Sequence, residues 1–151
     1  MTQDNATLVE RIELDPTLVI FRIRPDAIPG PGEPWFLPGQ YVTIGASKIQ
    51  RAYSIASEPE ERRWLEFYIR FAREPATVSP LTHLLFTMPV GARLHLGDKV
   101  AGRFTLERTV AAGDTRVKLL VAAGTGLAPF VSMVRHAKRA EDAAALSRLV
   151  V

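Results

Sequence analysis

Hydrophobic and polar positions alternate with a period of two through much of the first hundred residues. Residues 18–24, Leu-Val-Ile-Phe-Arg-Ile-Arg, put Arg22 and Arg24 on one face and Phe21 and Ile23 on the other, the pattern of a half-buried strand. Residues 40–44, 52–55 and 64–71 repeat the style with aromatic and β-branched side chains. Turn clusters separate them: Pro-Gly-Pro-Gly at 29–32, Pro-Gly at 38–39 and Ser-Glu-Pro-Glu at 57–60. Short strands at this spacing, with few helices, predict a small antiparallel barrel. One short helix interrupts the pattern. Ser79 followed by Pro80 reads as an N-cap and first turn, Leu81, Leu84 and Leu85 supply an apolar side, and Gly91 lies near its end.

The character of the chain changes near residue 117. Residues 117–123, Val-Lys-Leu-Leu-Val-Ala-Ala, form a nearly continuous apolar run, as in a strand covered on both faces. Gly124-Thr125-Gly126 follows, then a helix from about Pro129 with Phe130, Met133, Val134 and Ala137 on one side. Residues 149–151 begin another apolar strand. The pattern is β-α-β, and such a unit alone leaves its sheet faces and edges uncovered. The expected division is residues 1–110 as a β-barrel domain and 117–151 as the first β-α-β of an incomplete α/β nucleotide-binding domain. A chain continuing past Val151 is favoured over an extra strand and helix packed on the barrel.

Composition narrows the chemistry. The 151 residues are 47% apolar, enough for a sizeable core, and the formal net charge is only +3. The cations are 15 Arg against 4 Lys, with no run of like charge and no basic stripe interleaved with aromatics, which argues against nucleic acid. Absence of cysteine excludes disulfides, a cysteine-ligated iron–sulfur cluster and a thiolate nucleophile within these residues. The first residues lack the basic end and apolar stretch of a signal peptide, and no apolar stretch is long enough to span a bilayer, so a cytoplasmic location is the default. His83, His95 and His136 are scattered singly without metal-ligand spacing. Glu58, Glu60 and Glu61 read as a solvated turn, and Trp35-Phe36 as a loop plug on the barrel.

Two segments carry candidate chemistry. In Arg51-Ala52-Tyr53-Ser54, strand alternation points Arg51 and Tyr53 one way and Ala52 and Ser54 the other. A guanidinium can bind a pyrophosphate through parallel charge-assisted bonds, a tyrosine can stack on a flat heteroaromatic, and a serine hydroxyl can reach the ring's nitrogen edge. Alone, four residues fit an ordinary strand with an exposed Arg and a core Tyr better. In Gly124-Thr-Gly-Leu-Ala-Pro129, two glycines after a buried strand let the backbone approach a ligand, and Pro129 can start a helix. The segment lacks the third glycine of the Rossmann fingerprint, and a tight strand-to-helix turn would also use glycine.

The wider order of motifs shifts that balance. Pro38-Gly-Gln-Tyr-Val42, Arg51-Ala-Tyr-Ser-Ile-Ala-Ser57, Leu65-Glu-Phe-Tyr-Ile69, Pro80-Leu-Thr82, Gly97-Asp98, Gly102-Arg-Phe104 and Gly124-Thr-Gly-Leu-Ala-Pro129 occur in one sequence. From about residue 8 onward, that order resembles the ferredoxin–NADP(+) reductase superfamily, particularly its bacterial-type members. The resemblance implies a mainly β fold, a six-stranded antiparallel Greek-key β-barrel with a short helix, binding FAD and followed by an NADP-binding α/β domain. It implies that Arg51 binds the FAD phosphates, with Ala52 beside it, that Tyr53 stacks on the isoalloxazine, and that Ser54 lies near flavin N5. Tyr53 and Ser54 are thereby the catalytic candidates. Tyr68, Ile69 and Arg70 would line the FAD on the adjoining strand, and Pro80, Leu81 and Thr82 would offer a helix N-terminus to a phosphate. Gly124, Thr125, Gly126 and Pro129 would shape the nicotinamide site, with NADP(H) as co-substrate. Ser79 stands where the family usually has glycine, and the loop 72–78 is longer than usual.

The implied activity is electron transfer between NADP(H) and a one-electron carrier, ferredoxin or flavodoxin, with no metal, membrane or nucleic acid partner. Two alternatives stand beside it: a reductase component of an oxygenase or an NAD(P)H–flavin reductase, and a flavin-binding module without turnover.

Overall fold

The computed structural model describes residues 3–30, 32 and 35–150. The expected turn at 29–32 and the expected strand at 149–151 include Pro31 and Val151, which lie outside the described residues. Six strands form one antiparallel sheet: β1 (Ala6–Asp15), β2 (Leu18–Pro25), β3 (Tyr41–Ala46), β4 (Ile49–Ser54), β5 (Leu65–Arg70) and β6 (Arg93–Leu96). Their spatial order is β4-β3-β6-β1-β2-β5, so β6 returns by a long connection to lie between β1 and β3, a Greek-key feature. Just past β4, the Ala56 N–H donates to the Glu66 carbonyl on β5 at 2.8 Å, which ties the two ends of the strand order together.

Alternation decides which side chains enter the core. Phe21 and Ile23 on β2 are fully buried, Arg24 is exposed and Arg22 is half-buried. On β5, Leu65, Phe67 and Ile69 point inward. β1 pairs with β2 through two register shifts, between Leu8 and Glu10 and between Glu13 and Asp15, which break the period of its sequence. Helix α1 (Pro80–Thr87) packs on β3 and β4 and buries Leu81 and Leu85 in the same core. Arg11 on β1 holds its far end. It donates to the Phe86 carbonyl at 2.6 Å, where the helix dipole favours a cation.

After a single helical turn, α2 (Leu106–Thr109), come β7 (Lys118–Leu119), a 3-10 turn at Gly124–Leu127, α3 (Ala128–Arg139), α4 (Ala143–Leu146) and β8 (Leu149–Val150). β7 and β8 pair in parallel across α3, the expected β-α-β order. The 117–123 run departs from its expected burial. Only Lys118 and Leu119 are strand, Leu120 is buried, and Val117, Leu119 and Val121 are exposed. The physical reason is cover: one paired strand and one helix shield one side of β7, and among the described residues no further layer lies on the other. Gly39 marks where the lead-in to β3 meets this region. Its φ is +100°, and a Cβ there would run into the Phe104 carbonyl and the Met133 methyl.

Candidate functional site

β4 is a strand at the end of the sheet order, and its outer half is open. Arg51 and Ala52 are exposed, whereas Tyr53 and Ser54 are half-buried. The register with β3 sets Arg51 opposite Ile44 and Tyr53 opposite Val42, so these two share one face, with Ala52 and Ser54 on the other. Tyr53 packs its ring against the hydrophobic core. Burial pushes its phenol above the ordinary tyrosine range, and the nearby Arg51 charge opposes that shift. Arg51 donates one N–H to the Gln50 carbonyl at 2.9 Å, and among the described residues no carboxylate is ion-paired to it. An exposed arginine beside a half-buried aromatic ring leaves guanidinium N–H groups available to an anion.

The neighbouring elements converge on this strand. β5 lies beyond the Ala56–Glu66 bond, α1 packs on β4, and the Gly124–Leu127 turn packs on β5. Tyr68 is half-buried, and burial is the first cause of its raised phenol pKa. Ile69 and Leu81 are 1% and 2% exposed, so their side chains belong to the core and present no surface to a ligand. Arg70 is exposed and reaches the Thr17 hydroxyl at 3.3 Å.

The α1 N-terminus differs from its sequence reading in one detail. Ser79 occupies the N-cap position before Pro80 but makes no side-chain capping bond, because its backbone (φ −125°, ψ 58°) is outside the extended region that aims the hydroxyl at the first turn. Thr82 Oγ1 instead donates to the Ser79 carbonyl at 3.1 Å and accepts from the Ala72 N–H at 3.4 Å. With its proton engaged there, Thr82 leaves an anion to the backbone N–H groups of the first turn.

At the second motif Gly124 has φ +55°, the left-handed region that favours glycine, and a Cβ at Gly124 or Gly126 would meet nothing within 4 Å. Thr125 is half-buried between two exposed glycines, and Pro129 is buried in the first turn of α3. The turn therefore offers open backbone to a ligand. Arg51 supplies a cation with no carboxylate partner among the described residues, Tyr53 and Tyr68 two half-buried aromatic rings, the α1 N-terminus backbone N–H groups, and this turn uncluttered backbone. That donor set fits a dinucleotide carrying a flat ring: the phosphates have a fork and N–H groups, and the ring has tyrosine faces.

No family model matches the chain. A flavodoxin/ferredoxin–NADP reductase from Buchnera aphidicola is 31% identical over 111 residues, covering 70% of this chain and 41% of that protein. Methane monooxygenase component C from Methylosinus trichosporium is 37% identical over 109 residues, covering 71% of this chain and 29% of that protein. A ferredoxin NADP+ reductase from Neisseria gonorrhoeae, solved with bound FAD and NADP, aligns with a TM-score of 0.72 at 24% identity over 90% of this chain and 52% of that one. The chain belongs to the ferredoxin–NADP reductase superfamily. It spans less than half the length of the curated relatives named here.

Beyond the motifs of this superfamily, a set of polar residues ties α3 to the sheet. Glu66, buried on β5, accepts from Arg22 Nε at 2.9 Å and from Arg135 at 2.8 Å. Ser132 Oγ donates to the Ser57 carbonyl at 2.7 Å. The turn expected to be solvated takes part in this seam: Glu60 pairs with His136 at 2.8 Å, Glu58 lies 3.7 Å from Arg139, and Glu61 pairs with Arg63. These carboxylates are half-buried because α3 lies over the turn. The seam opens into a hollow of about 730 Å3 lined by Arg22, Glu66, Trp64 and Arg135 among others, away from Arg51. His83 stacks edge-on against Phe71, and His95 is held by the Gln3 carbonyl. Among the described residues no group of three or more histidines and carboxylates is placed to hold a metal, and no helix is long and apolar enough to cross a membrane.

Proposed function

We propose that this chain is the FAD-binding part of an FAD-dependent oxidoreductase that moves electrons between NADP(H) and a one-electron carrier such as ferredoxin or flavodoxin. The observation that carries the reading is Arg51, an exposed guanidinium without a carboxylate partner, beside the half-buried ring of Tyr53 on an open strand. In this reading residues 1–110 form the flavin domain and 117–151 open an α/β nucleotide-binding domain; two separate hydrophobic clusters support that division.

Bound FAD would supply a ring that accepts a hydride and gives up electrons singly; the protein supplies position and surroundings. Arg51 and the first-turn N–H groups of α1 neutralise the phosphates. Tyr53 orients the ring, and burial, which pushes its phenol above the ordinary tyrosine range, keeps it a neutral stacking face. Ser54 places a hydroxyl at the ring's edge, while Tyr68, Ile69 and Arg70 border the dinucleotide along β5. Gly124, Thr125, Gly126 and Pro129 would present open backbone to a nicotinamide. Hydride transfer itself needs no acid or base from these residues, so Tyr53 and Ser54 act by contact and orientation.

A reductase component of an oxygenase is the second reading, favoured by the 37% identity to methane monooxygenase component C. Both readings share the flavin site and differ in the acceptor. Titrating the purified chain with FAD and following quenching of flavin fluorescence tests the shared part. Saturable binding is expected, and absence of binding by either FAD or FMN would remove the reading. Anaerobic addition of NADPH to the loaded chain then separates a catalyst from a passive binder.

A further inference from the structure

The Glu66 carboxylate is a buried charge bonded to two other elements of the fold. It is 2% exposed, on the face of β5 opposite Leu65, Phe67 and Ile69. A buried carboxylate without partners costs several kcal/mol. Here each oxygen has its own donor from a different element: Oε2 accepts from Arg22 on β2 at 2.9 Å, and Oε1 from Arg135 on α3 at 2.8 Å. Arg22 is itself steadied by Glu10 at 2.6 Å and by the Trp64 ring 5.0 Å away. Arg135 also donates to the Ala56 carbonyl at 3.2 Å.

A second bond system runs beside the first. The Glu66 N–H donates to Ser57 Oγ at 3.2 Å, and the Ser57 carbonyl accepts from Ser132 Oγ at 2.7 Å. Ser132 and Arg135 are three residues apart and so lie on one face of α3. The larger apolar residues of α3, Phe130 and Met133, join Leu120 in a separate cluster. Charge-assisted bonds fix orientation more narrowly than apolar contact does. A well-packed apolar pair often gives equal or greater stability than a buried ion pair, so what the charges add here is a defined geometry.

That geometry reaches both halves of the candidate site. α3 follows directly on the Gly124–Leu127 turn, and a helix held at 132 and 135 carries the turn with it. Tyr68 lies two residues from Glu66 on the same face of β5. We infer that Glu66 is a positioning residue: it sets α3 and its glycine turn in register with β5, and so sets the spacing between a nicotinamide at the turn and a ring beside Tyr53 and Tyr68. Its catalytic meaning rests on the flavin reading above; its mechanical meaning does not.

The chain has no cysteine, so spin labels can be attached at chosen points. Arg24→Cys on β2 and Lys138→Cys on α3 are both exposed positions. Pulsed electron paramagnetic resonance on the doubly labelled chain should give one narrow distance distribution. Adding Glu66→Gln, which keeps the side-chain shape and removes the charge, should widen that distribution at least twofold while far-UV circular dichroism is unchanged. Arg135→Met, which breaks the same bond from the other side, should do likewise and decides the matter if Glu66→Gln does not fold. An unaltered distribution in a folded variant overturns the inference. FAD titration of the same variants keeps the two questions apart: affinity within twofold of the unsubstituted chain is expected, and loss of flavin affinity confined to the variants would make Glu66 a flavin-binding residue and overturn its positioning role. Absence of flavin affinity in every background would remove the flavin reading and leave the distances to judge the register.

Discussion

Phe21 and Phe67 are completely enclosed by the six-stranded sheet and α1, while Leu119 and Val121, in an equally apolar run, are 70% and 77% exposed. The two regions differ in cover rather than in composition. The inward residues of β2 and β5 are closed in by other strands and by α1, and the opposite face of β5 carries Glu66, Tyr68 and Arg70. β7 has one short parallel partner and one helix, and only Leu120 turns toward them. An apolar run is therefore a demand for neighbours on both faces, and the fold meets that demand only where enough layers are present.

The comparison can be broken most directly at the enclosed end. Phe67→Ala should cost about 3–5 kcal/mol in urea unfolding, because the cavity forms among residues that cannot all collapse into it. A cost below about 1 kcal/mol would show the large core to be loosely packed. Arg51→Ala should leave unfolding unchanged, since the side chain is exposed, yet weaken FAD binding by about 2–3 kcal/mol, the scale of bonds to a charged group. Equal affinity in a fluorescence titration would refute the phosphate role of Arg51.

Acid should affect both regions modestly. Asp26 is held below the usual carboxylate range by hydrogen bonding to Arg93 in the sheet, and Asp114 by hydrogen bonding to Arg116 near β7. A depressed native pKa means the unfolded state binds protons first, so their contribution is present above about pH 4 and fades as pH falls through the native pKa values. Asp26 sits in an exposed pair and Asp114 is shared between Arg116 and Lys118, so the decline from about pH 4 downward, read by urea midpoints, should be gradual. A midpoint that rises on acidification would reverse the sign. At the smallest end, Val121→Thr should change stability by no more than about 0.5 kcal/mol, as at other surface positions. A larger loss would mean that Val121 has cover in solution.

Much of the sheet is readable in the sequence because its strands keep a clean period of two. Arg22 and Arg24 against Phe21 and Ile23, and Leu65, Phe67 and Ile69 against Glu66, Tyr68 and Arg70, predict their faces directly. β1 is harder to see because its register shifts put Glu10 and Arg11 out of step, and the four residues of β6 are too few to show a period. Arg51 and Tyr53 were visible as chemistry, and the structure adds that the arginine has no carboxylate partner among the described residues while the tyrosine packs on the core. The Glu66–Arg135 bond was not visible: its partners are 69 residues apart, and nothing in local spacing connects a strand to a distant helix. The other partner is equally remote: Arg22 faces Glu66 only because β2 and β5, separated in the chain by β3 and β4, pair in the sheet.

The acceptors that receive α3 include the main-chain carbonyls of Ala56 and Ser57. Every amino acid carries that same carbonyl, so this part of the docking surface is indifferent to which side chains mutation places there. A foreign helix bearing serine and arginine three residues apart would find the same receptors waiting. The joint is in that sense a generic socket, one through which a lineage could exchange the segment from about residue 117 onward while the sheet stays as it is.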